Sequence, residues 1–278
     1  CGSGHILVQT YSLLKEILLD NGYSQKLIPK IILENNLFGF DIDERAVQLA
    51  KISLIFKGCE DNPSLLKDNI KLNLITLESS KNLNQKDLID WLDKDGTKNL
   101  GLLIQELIET FKFANSIGSL ISVPDFISKR LFEINDLIKN QPKELLTYRS
   151  AYLFEKIVNQ AILMKEKYDI VLANPPYLDS KYHCAELKSF LSTNYPKYKK
   201  NLFSAFIIRT LEFTSTNGRH AYVTPFVWLF IISYQYLRKF ILENYSIQSL
   251  VKPSYSSFFE SASVQLVTFV IHKNKDLK

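Results

Sequence analysis

The chain has 278 residues, 46% hydrophobic and 23% charged, which is the composition of a folded domain and excludes a disordered, collagen-like or low-complexity segment. Its length suits one large α/β domain, or one domain carrying an insertion. The net charge of +5 is unevenly spread: residues 166–278 hold 14 basic and 8 acidic side chains, an excess that suits a polyanion or, more plainly, a slightly basic solvated surface. Cys1, Cys59 and Cys184 lie far apart, which argues against a disulfide framework and fits a reducing, cytoplasmic setting. The chain opens on Cys-Gly-Ser-Gly with no Met and no secretory signal, so it reads as an internal fragment. Its longest apolar run, Tyr222 to Leu237, is interrupted by Pro225, Ser233 and Gln235 and is too short for a membrane span.

In chain order, His5 to Asp20 carries an apolar stripe at helical spacing and stops at Asn21-Gly22. A short helix over 30–34 follows Pro29. Leu37 to Ile42 predicts a buried strand that ends in acid, and Asp43 is a suitable N-cap for a helix from Glu44 to Phe56 closed by Gly58. Ile70 to Leu77 predicts a strand. Residues 79–165 change character. Leu100–Phe113, Pro124–Ile138 and Lys143–Met164 each show a helical stripe, which predicts a helical insertion. Strand and helix then alternate: strand Tyr168–Ala173, helix Leu202–Thr214, strand Arg219–Thr224, helix Leu229–Leu242, strand Ser246–Val251 and strand Val264–His272. Such alternation predicts an α/β fold, a mostly parallel sheet with helices on both faces. Ligands of such sheets bind at the carboxyl ends of the strands.

Three stretches carry candidate chemistry. Cys1-Gly2-Ser3-Gly4 opens a helix, where glycines permit a tight turn and free N–H groups face an anion. A simple loop start is the alternative. Asp41, at the end of a strand, suits the two hydroxyls of a ribose, with Ile42 beside it. Asp43 reads as the helix cap. Asn174-Pro175-Pro176-Tyr177 follows a strand directly. The two prolines rigidify the turn and present the Asn amide at the strand's carboxyl end, and Tyr177 offers a flat face to a base. Two acceptors, the Asn174 side chain and the Pro175 carbonyl, would hold the two N–H groups of an exocyclic amine and leave its lone pair free for an electrophilic methyl group.

Taken in this order, Cys-Gly-Ser-Gly, Phe-Gly-Phe-Asp-Ile-Asp and Asn-Pro-Pro-Tyr resemble the S-adenosylmethionine-dependent adenine-N6 DNA methyltransferases, with the cofactor motif first. Cys1 to Gln9 and Asp41 to Ala50 resemble the large methyltransferases of BREX-type phage-defence systems and the combined restriction-methylation enzymes. The resemblance implies a Rossmann-like fold with S-adenosylmethionine as cofactor and double-stranded DNA as partner, other defence-system subunits as candidate partners and no membrane. It implies that Cys1, Gly2, Ser3 and Gly4 surround the methionine part of the cofactor, that Asp41 binds ribose, that Ile42 packs on the adenine and that Glu78 meets its amine. Asn174, Pro175, Pro176 and Tyr177 form the catalytic set, and Tyr177 and Phe259 stack on the flipped base. Lys181, Lys188, Lys197, Lys199 and Lys200 are candidate phosphate contacts, or equally a solvated loop.

The resemblance further divides the chain into a cofactor half (1–78), the insertion (79–165, expected beside the third strand of the family fold and clear of the Asn174 cleft) and a target-base half (166–278). The family's first strand and its target-recognition module are expected outside this chain, and the isolated fragment is expected to bind cofactor weakly. Two other readings stand beside this one: a glutamine-N5 methyltransferase of proteins, which shares Asn-Pro-Pro-Tyr but has Thr before its Gly-Ser-Gly, and a non-catalytic subunit that binds DNA and cofactor. His5, His183, His220 and His272 show no metal-ligand spacing, so no metal site is expected.

Overall fold

A computed structural model describes residues 1–94, 96–142, 148–254 and 265–274. Helix α1 (His5–Asp20) leads through a single turn, α2 (Ile28–Ile31), to strand β1 (Phe38–Asp41). The Asp43 side chain accepts from the Arg45 N–H at 2.9 Å and so starts α3 (Glu44–Asp61). This helix runs through Gly58 and does not stop there. A side chain at Gly58 would meet Leu65 Cδ2 at 2.6 Å and Leu33 Cδ1 at 3.1 Å, so the glycine serves close packing inside a helix rather than a C-cap. Strand β2 (Asn73–Thr76) follows and pairs parallel with β1, Phe38 opposite Asn73 and Asp41 opposite Thr76.

The middle of the chain is helical, as expected: α4 (Gln85–Leu92), α5 (Gly101–Phe111), the short α6 (Ala114–Ile117) and α7 (Asp125–Ser128), α8 (Leu131–Asn140) and α9 (Tyr148–Lys165). The helix predicted from Lys143 begins outside the described residues. Beyond it come β3 (Tyr168–Ala173), α10 (Ala185–Asn194), α11 (Leu202–Phe213), β4 (Thr214–Pro225), α12 (Gln235–Asn244), β5 (Ser246–Val251) and β6 (Leu266–His272). Helix α10 has no counterpart in the sequence reading. The helix expected over Leu229–Leu242 starts only at Gln235, because 3-10 turns at Phe226–Leu229 and Ile232–Tyr234 occupy its first part. The Val264 start of the last predicted strand is outside the described residues.

The strands form two sheets, β1-β2 and β3-β4-β6-β5. The expectation of a mostly parallel sheet holds for β1 with β2 and for β3 with β4, but β6 runs antiparallel to both β4 and β5. The two sheets approach each other at β1 and β3. Phe38 lies 5.1 Å from Tyr168 between ring centroids, and Phe40 lies 5.8 Å from Phe213. Parallel pairing puts the carboxyl ends of β3 and β4 on one edge, and that edge carries the Asn174 loop.

The helical middle is not a detached appendage. Its buried face (Leu107, Phe111, Ile134, Phe154, Ile157) forms one hydrophobic cluster with Leu77 after β2, with Leu187 and Leu191 of α10 and with Ala205 of α11. Arg209, nearly fully buried on α11, ties the two together. It donates through Nε (3.0 Å) and Nη2 (2.7 Å) to the Ile121 carbonyl and pairs with Glu212 at 2.7 Å. A buried carbonyl is satisfied in this way by a charge that itself has a partner. Tyr195, the residue that ends α10, donates to the neighbouring Leu120 carbonyl at 3.2 Å. Among the described residues, no helix is long and apolar enough to cross a membrane.

Below the carboxyl edge of the sheet, β4 buries His220, whose Nδ1 lies 3.2 Å from Thr214 Oγ1 and 3.3 Å from Tyr222 Oη. Burial, aided by the positive charge of Lys273, pushes this imidazole down to about 3 from 6.5. As pH falls, the unfolded chain therefore takes up the proton before the folded one. The contribution is complete above about 6.5 and drains away between about 6.5 and 3, with a limiting slope of about 1.4 kcal/mol per pH unit. Urea unfolding at pH 6.5 and 4.5 is expected to show this loss, and His220→Gln to flatten it. An unchanged slope in the variant would assign the acid sensitivity to other groups.

Candidate functional site

The glycine turn and the acid form one unit. Gly2 and Gly4 take φ +58° and +91°, a left-handed backbone that other residues rarely adopt. Gly4 is the N-cap of α1 and has no side-chain cap, and no acidic residue occupies the first helical turn. That turn therefore points uncapped N–H groups and the positive end of a helix dipole toward the strand end. The Asp41 carboxylate closes on the turn: its Oδ2 accepts from the Gly2 N–H at 2.7 Å and from the Cys1 nitrogen at 3.1 Å, and its Oδ1 accepts from the Asp43 N–H at 3.0 Å. The Cys1 nitrogen also donates to the Phe40 carbonyl at 2.7 Å. Burial raises the Asp41 carboxyl, while the Asp43 and Gly2 N–H groups that bond it pull it below its ordinary value. Asp41 is thus ionised at neutral pH. Ile42, next to it, is half exposed and presents an apolar surface at the same strand end.

The second unit is the loop after β3. Asn174 is exposed, Pro175 buried and Pro176 exposed. The Tyr177 hydroxyl lies 2.8 Å from Asn174 Oδ1 and 3.1 Å from the Val223 carbonyl on the neighbouring β4. Burial pushes this phenol up to about 12, so at neutral pH it is a protonated donor. The amide oxygen of Asn174 faces this hydroxyl, whose single proton is shared between Oδ1 and the Val223 carbonyl, and the contact holds the amide in place. One lone pair of Oδ1 remains for a second donor. In the sequence reading Tyr177 belongs to the catalytic set and its ring has a stacking role, with no part for its hydroxyl. Its hydroxyl and the Val223 carbonyl are parts of the site that the sequence does not announce, since the contact to Val223 depends on the register of β3 against β4.

The remaining expected residues have these surroundings. Glu78 pairs with Lys156 of α9 at 2.8 Å through Oε1. The Gln160 side chain brackets its backbone, accepting from the Glu78 N–H at 2.9 Å and donating to the Glu78 carbonyl at 3.0 Å. Gln160 is a buried polar residue inside an apolar helical stripe, and that is the signal by which it could have been found. Lys200 lies 3.5 Å from Asp179, Lys181 sits over the Tyr182 ring at 4.7 Å, and Lys197 over the Tyr236 ring at 5.4 Å. Lys199 donates to Ser192 Oγ at 3.5 Å, and Lys188 is exposed on α10. Phe259 lies outside the described residues. Among the described residues, no three His, Cys, Asp or Glu side chains gather as a metal site.

An uncapped helix start with a glycine turn, an ionised acid and an apolar side chain at one strand end, and a polar loop at the carboxyl edge of the next sheet make up the nucleotide-cofactor arrangement of α/β proteins. The comparisons agree with this class. Over 99% of its length the chain superimposes on 16% of the ATP-dependent Type ISP restriction-modification enzyme LlaBIII bound to DNA, with a TM-score of 0.58 at 13% identity, a likeness of fold. The sequence matches the Eco57I restriction-modification methylase profile over residues 35–259, and the chain belongs to that family. It is similar to the adenine-specific methyltransferase BrxX of Escherichia coli O9:H4 (strain HS), 31% identical over 302 residues, covering 99% of this chain and 25% of that protein. The adenine-specific methyltransferase PglX of Lacticaseibacillus casei (strain Zhang) is 28% identical over 282 residues, covering 99% of this chain and 23% of that protein. The chain therefore spans about a quarter of the length of these relatives.

The two glycines of the turn are separable by experiment. A Cβ at Gly4 would lie 2.9 Å from both the Cα and the Cβ of Ala50 on α3, whereas a Cβ at Gly2 meets nothing within 4 Å. Gly2→Ala is expected to cost about 1 kcal/mol from backbone conformation alone. Gly4→Ala is expected to cost clearly more, about 2–3 kcal/mol, because α1 and α3 must separate. Urea unfolding of both variants measures the order, and equal costs would mean that the α1–α3 contact yields freely.

Proposed function

We propose that this chain is the catalytic part of an adenine-N6 DNA methyltransferase serving restriction-modification or phage defence. The observation that carries the reading is the Asn174 amide, fixed by the Tyr177 hydroxyl at the carboxyl edge shared by β3 and β4. The names of BrxX and PglX, both adenine-specific methyltransferases, support the substrate. The DNA-bound restriction-modification enzyme with the same fold supports double-stranded DNA as partner.

The residues at the first strand end fit S-adenosylmethionine. In the proposal the N–H groups at the start of α1 and the turn Cys1-Gly2-Ser3-Gly4 hold its methionine carboxylate, and Asp41, whose Oδ1 accepts from the Asp43 N–H and keeps a second lone pair, takes ribose hydroxyls. Ile42 covers one face of its adenine, and Glu78 offers the adenine amine the carboxylate oxygen that Lys156 leaves over. When bound, this cofactor supplies an activated methyl group.

The chain's own residues act on the acceptor. Asn174 Oδ1 and the Pro175 carbonyl accept the two N–H groups of the target amine. This disfavours delocalisation of the nitrogen lone pair into the ring and turns it toward the methyl carbon. Neither acceptor is a base, and none is required before the N–C bond forms; the cationic methylated amine then gives up one N–H proton to water. The Tyr177 ring lies against the target base and offsets part of the unstacking cost of a few kcal/mol. Phe259, Lys181, Lys188, Lys197 and Lys199 complete the proposed contacts to base and phosphates, whereas Lys200 is partly neutralised by Asp179. Residues 1–78 and 166–278 are the cofactor and target halves, with 79–165 inserted between them.

The test is adenine-N6 methylation of genomic DNA in cells carrying the full-length protein. Wild type is expected to methylate a defined sequence, and Asn174→Ala to abolish it. Tyr177→Phe, which keeps the ring and loses the bond to Asn174, is expected to fold normally and to slow the purified enzyme about tenfold, the value of one lost hydrogen bond at about 1.4 kcal/mol. Methylation at unchanged level in Asn174→Ala would contradict the reading. Methylation of glutamine in a protein, with none in DNA, would replace it by the protein-methyltransferase reading.

A further inference from the structure

Resting on the reading above, we infer that Phe230, Ile231 and Ile232 form an apolar wedge that enters the base stack of the DNA duplex beside the extruded adenine. Their side chains are 69%, 46% and 77% exposed, three large apolar residues in a row. Such exposure is ordinary in a mobile tip, but here both ends of the segment are fixed. Trp228 is buried and donates through Nε1 to Thr224 Oγ1 at 3.0 Å. Tyr234 is buried against Phe203, 5.4 Å between ring centroids. Arg238 of α12 donates through Nη1 to the carbonyls of both Trp228 and Ile231 at 2.7 Å, and the Ile231 N–H donates to the Val227 carbonyl at 3.0 Å. The Phe230 ring packs edge-on against Phe226 at 5.4 Å. The chain spends two buried anchors and a guanidinium on holding apolar side chains in water.

The place of the tip selects its partner. It leaves the carboxyl end of β4, two residues beyond the Val223 carbonyl that takes the Tyr177 hydroxyl. On its far side Tyr234 touches Phe203, which follows Asn201, and Asn201 bridges to Asp179, two residues past Tyr177. The wedge and the target amide thus flank one edge of the sheet. Residues 213–242 contain no Asp or Glu. Cations border the tip, with Lys252 Nζ 4.6 Å from the Phe226 ring and Lys197 Nζ 5.4 Å from the Tyr236 ring. Apolar side chains bordered by Lys252 and Lys197 match a duplex, whose phosphates take the cations while the vacancy left by an extruded base takes the apolar tip.

The test uses the full-length protein, its methylated sequence in a synthetic duplex, and the double variant Ile231→Ser/Ile232→Ser. On the fully paired duplex the variant is expected to transfer methyl about tenfold more slowly than wild type. On the same duplex with an abasic site opposite the target adenine, where extrusion is cheap, it is expected to come within about twofold of wild type. Fluorescence of 2-aminopurine at the target position is expected to rise with wild type on the paired duplex and to stay low with the variant. Wild-type rates on the paired duplex overturn the wedge, and so does an equal loss on both duplexes. A lowered melting temperature with methylation intact also overturns it, since another part of the protein then covers the tip. If wild type methylates adenine in neither duplex, the functional reading itself has failed and the wedge falls with it.

Discussion

The short contact between the Tyr177 hydroxyl, Asn174 Oδ1 and the Val223 carbonyl is the interaction on which the account depends. An asparagine amide on an exposed loop has two nearly equivalent orientations, and only one presents an acceptor. The phenol, which burial keeps protonated, faces the amide oxygen and shares its one proton between Oδ1 and the Val223 carbonyl. The Val223 carbonyl in turn keeps the phenol from rotating away. That carbonyl is in reach because β3 and β4 are parallel and pair Ala173 with Tyr222. Strand register, proline rigidity and one hydroxyl together turn a common side chain into a directed acceptor.

A second constraint acts at the other strand end. The Asp41 carboxylate is drawn onto the Gly2 N–H, which fixes the glycine turn against β1 and keeps the acid ionised. Gly4, pressed on Ala50, sets how closely α1 and α3 approach. The helical middle stabilises both units from behind. It bonds the Glu78 backbone through Gln160, and its Ile121 carbonyl receives the buried Arg209 guanidinium of α11. One hydrophobic cluster therefore runs from the end of β2 through the helical middle to α10 and α11, the helix that precedes β4.

Much of this was legible in the sequence where local signals dominate. Strand β3 and strand β5 are found at the residues their composition indicates, and α1 ends at Asn21 because that side chain bonds the Ile17 carbonyl. The reading failed where tertiary contacts override local rules. Gly58 looks like a stop signal but lies inside α3, selected by Leu33 and Leu65. The apolar stripe at 229–242 looks like one helix, but Arg238 bonds two carbonyls of its first part and holds it in 3-10 turns. The antiparallel β6 escaped because strand direction is set by pairing partners far apart in the chain and not by residue type. In the site, Asn174 and Asp41 are marked by motif and strand end, whereas the roles of the Tyr177 hydroxyl, Val223 and Gln160 arise from register and packing that no local pattern encodes.

The most direct test of the central claim is the crystal structure of the full-length protein bound to a non-reactive cofactor analogue and a duplex carrying its target adenine. The account predicts an extruded adenine whose N6 lies about 3 Å from both Asn174 Oδ1 and the Pro175 carbonyl, with the Tyr177 hydroxyl still on the amide oxygen. An adenine that remains stacked, or one extruded into a pocket that Asn174 does not reach, would contradict it.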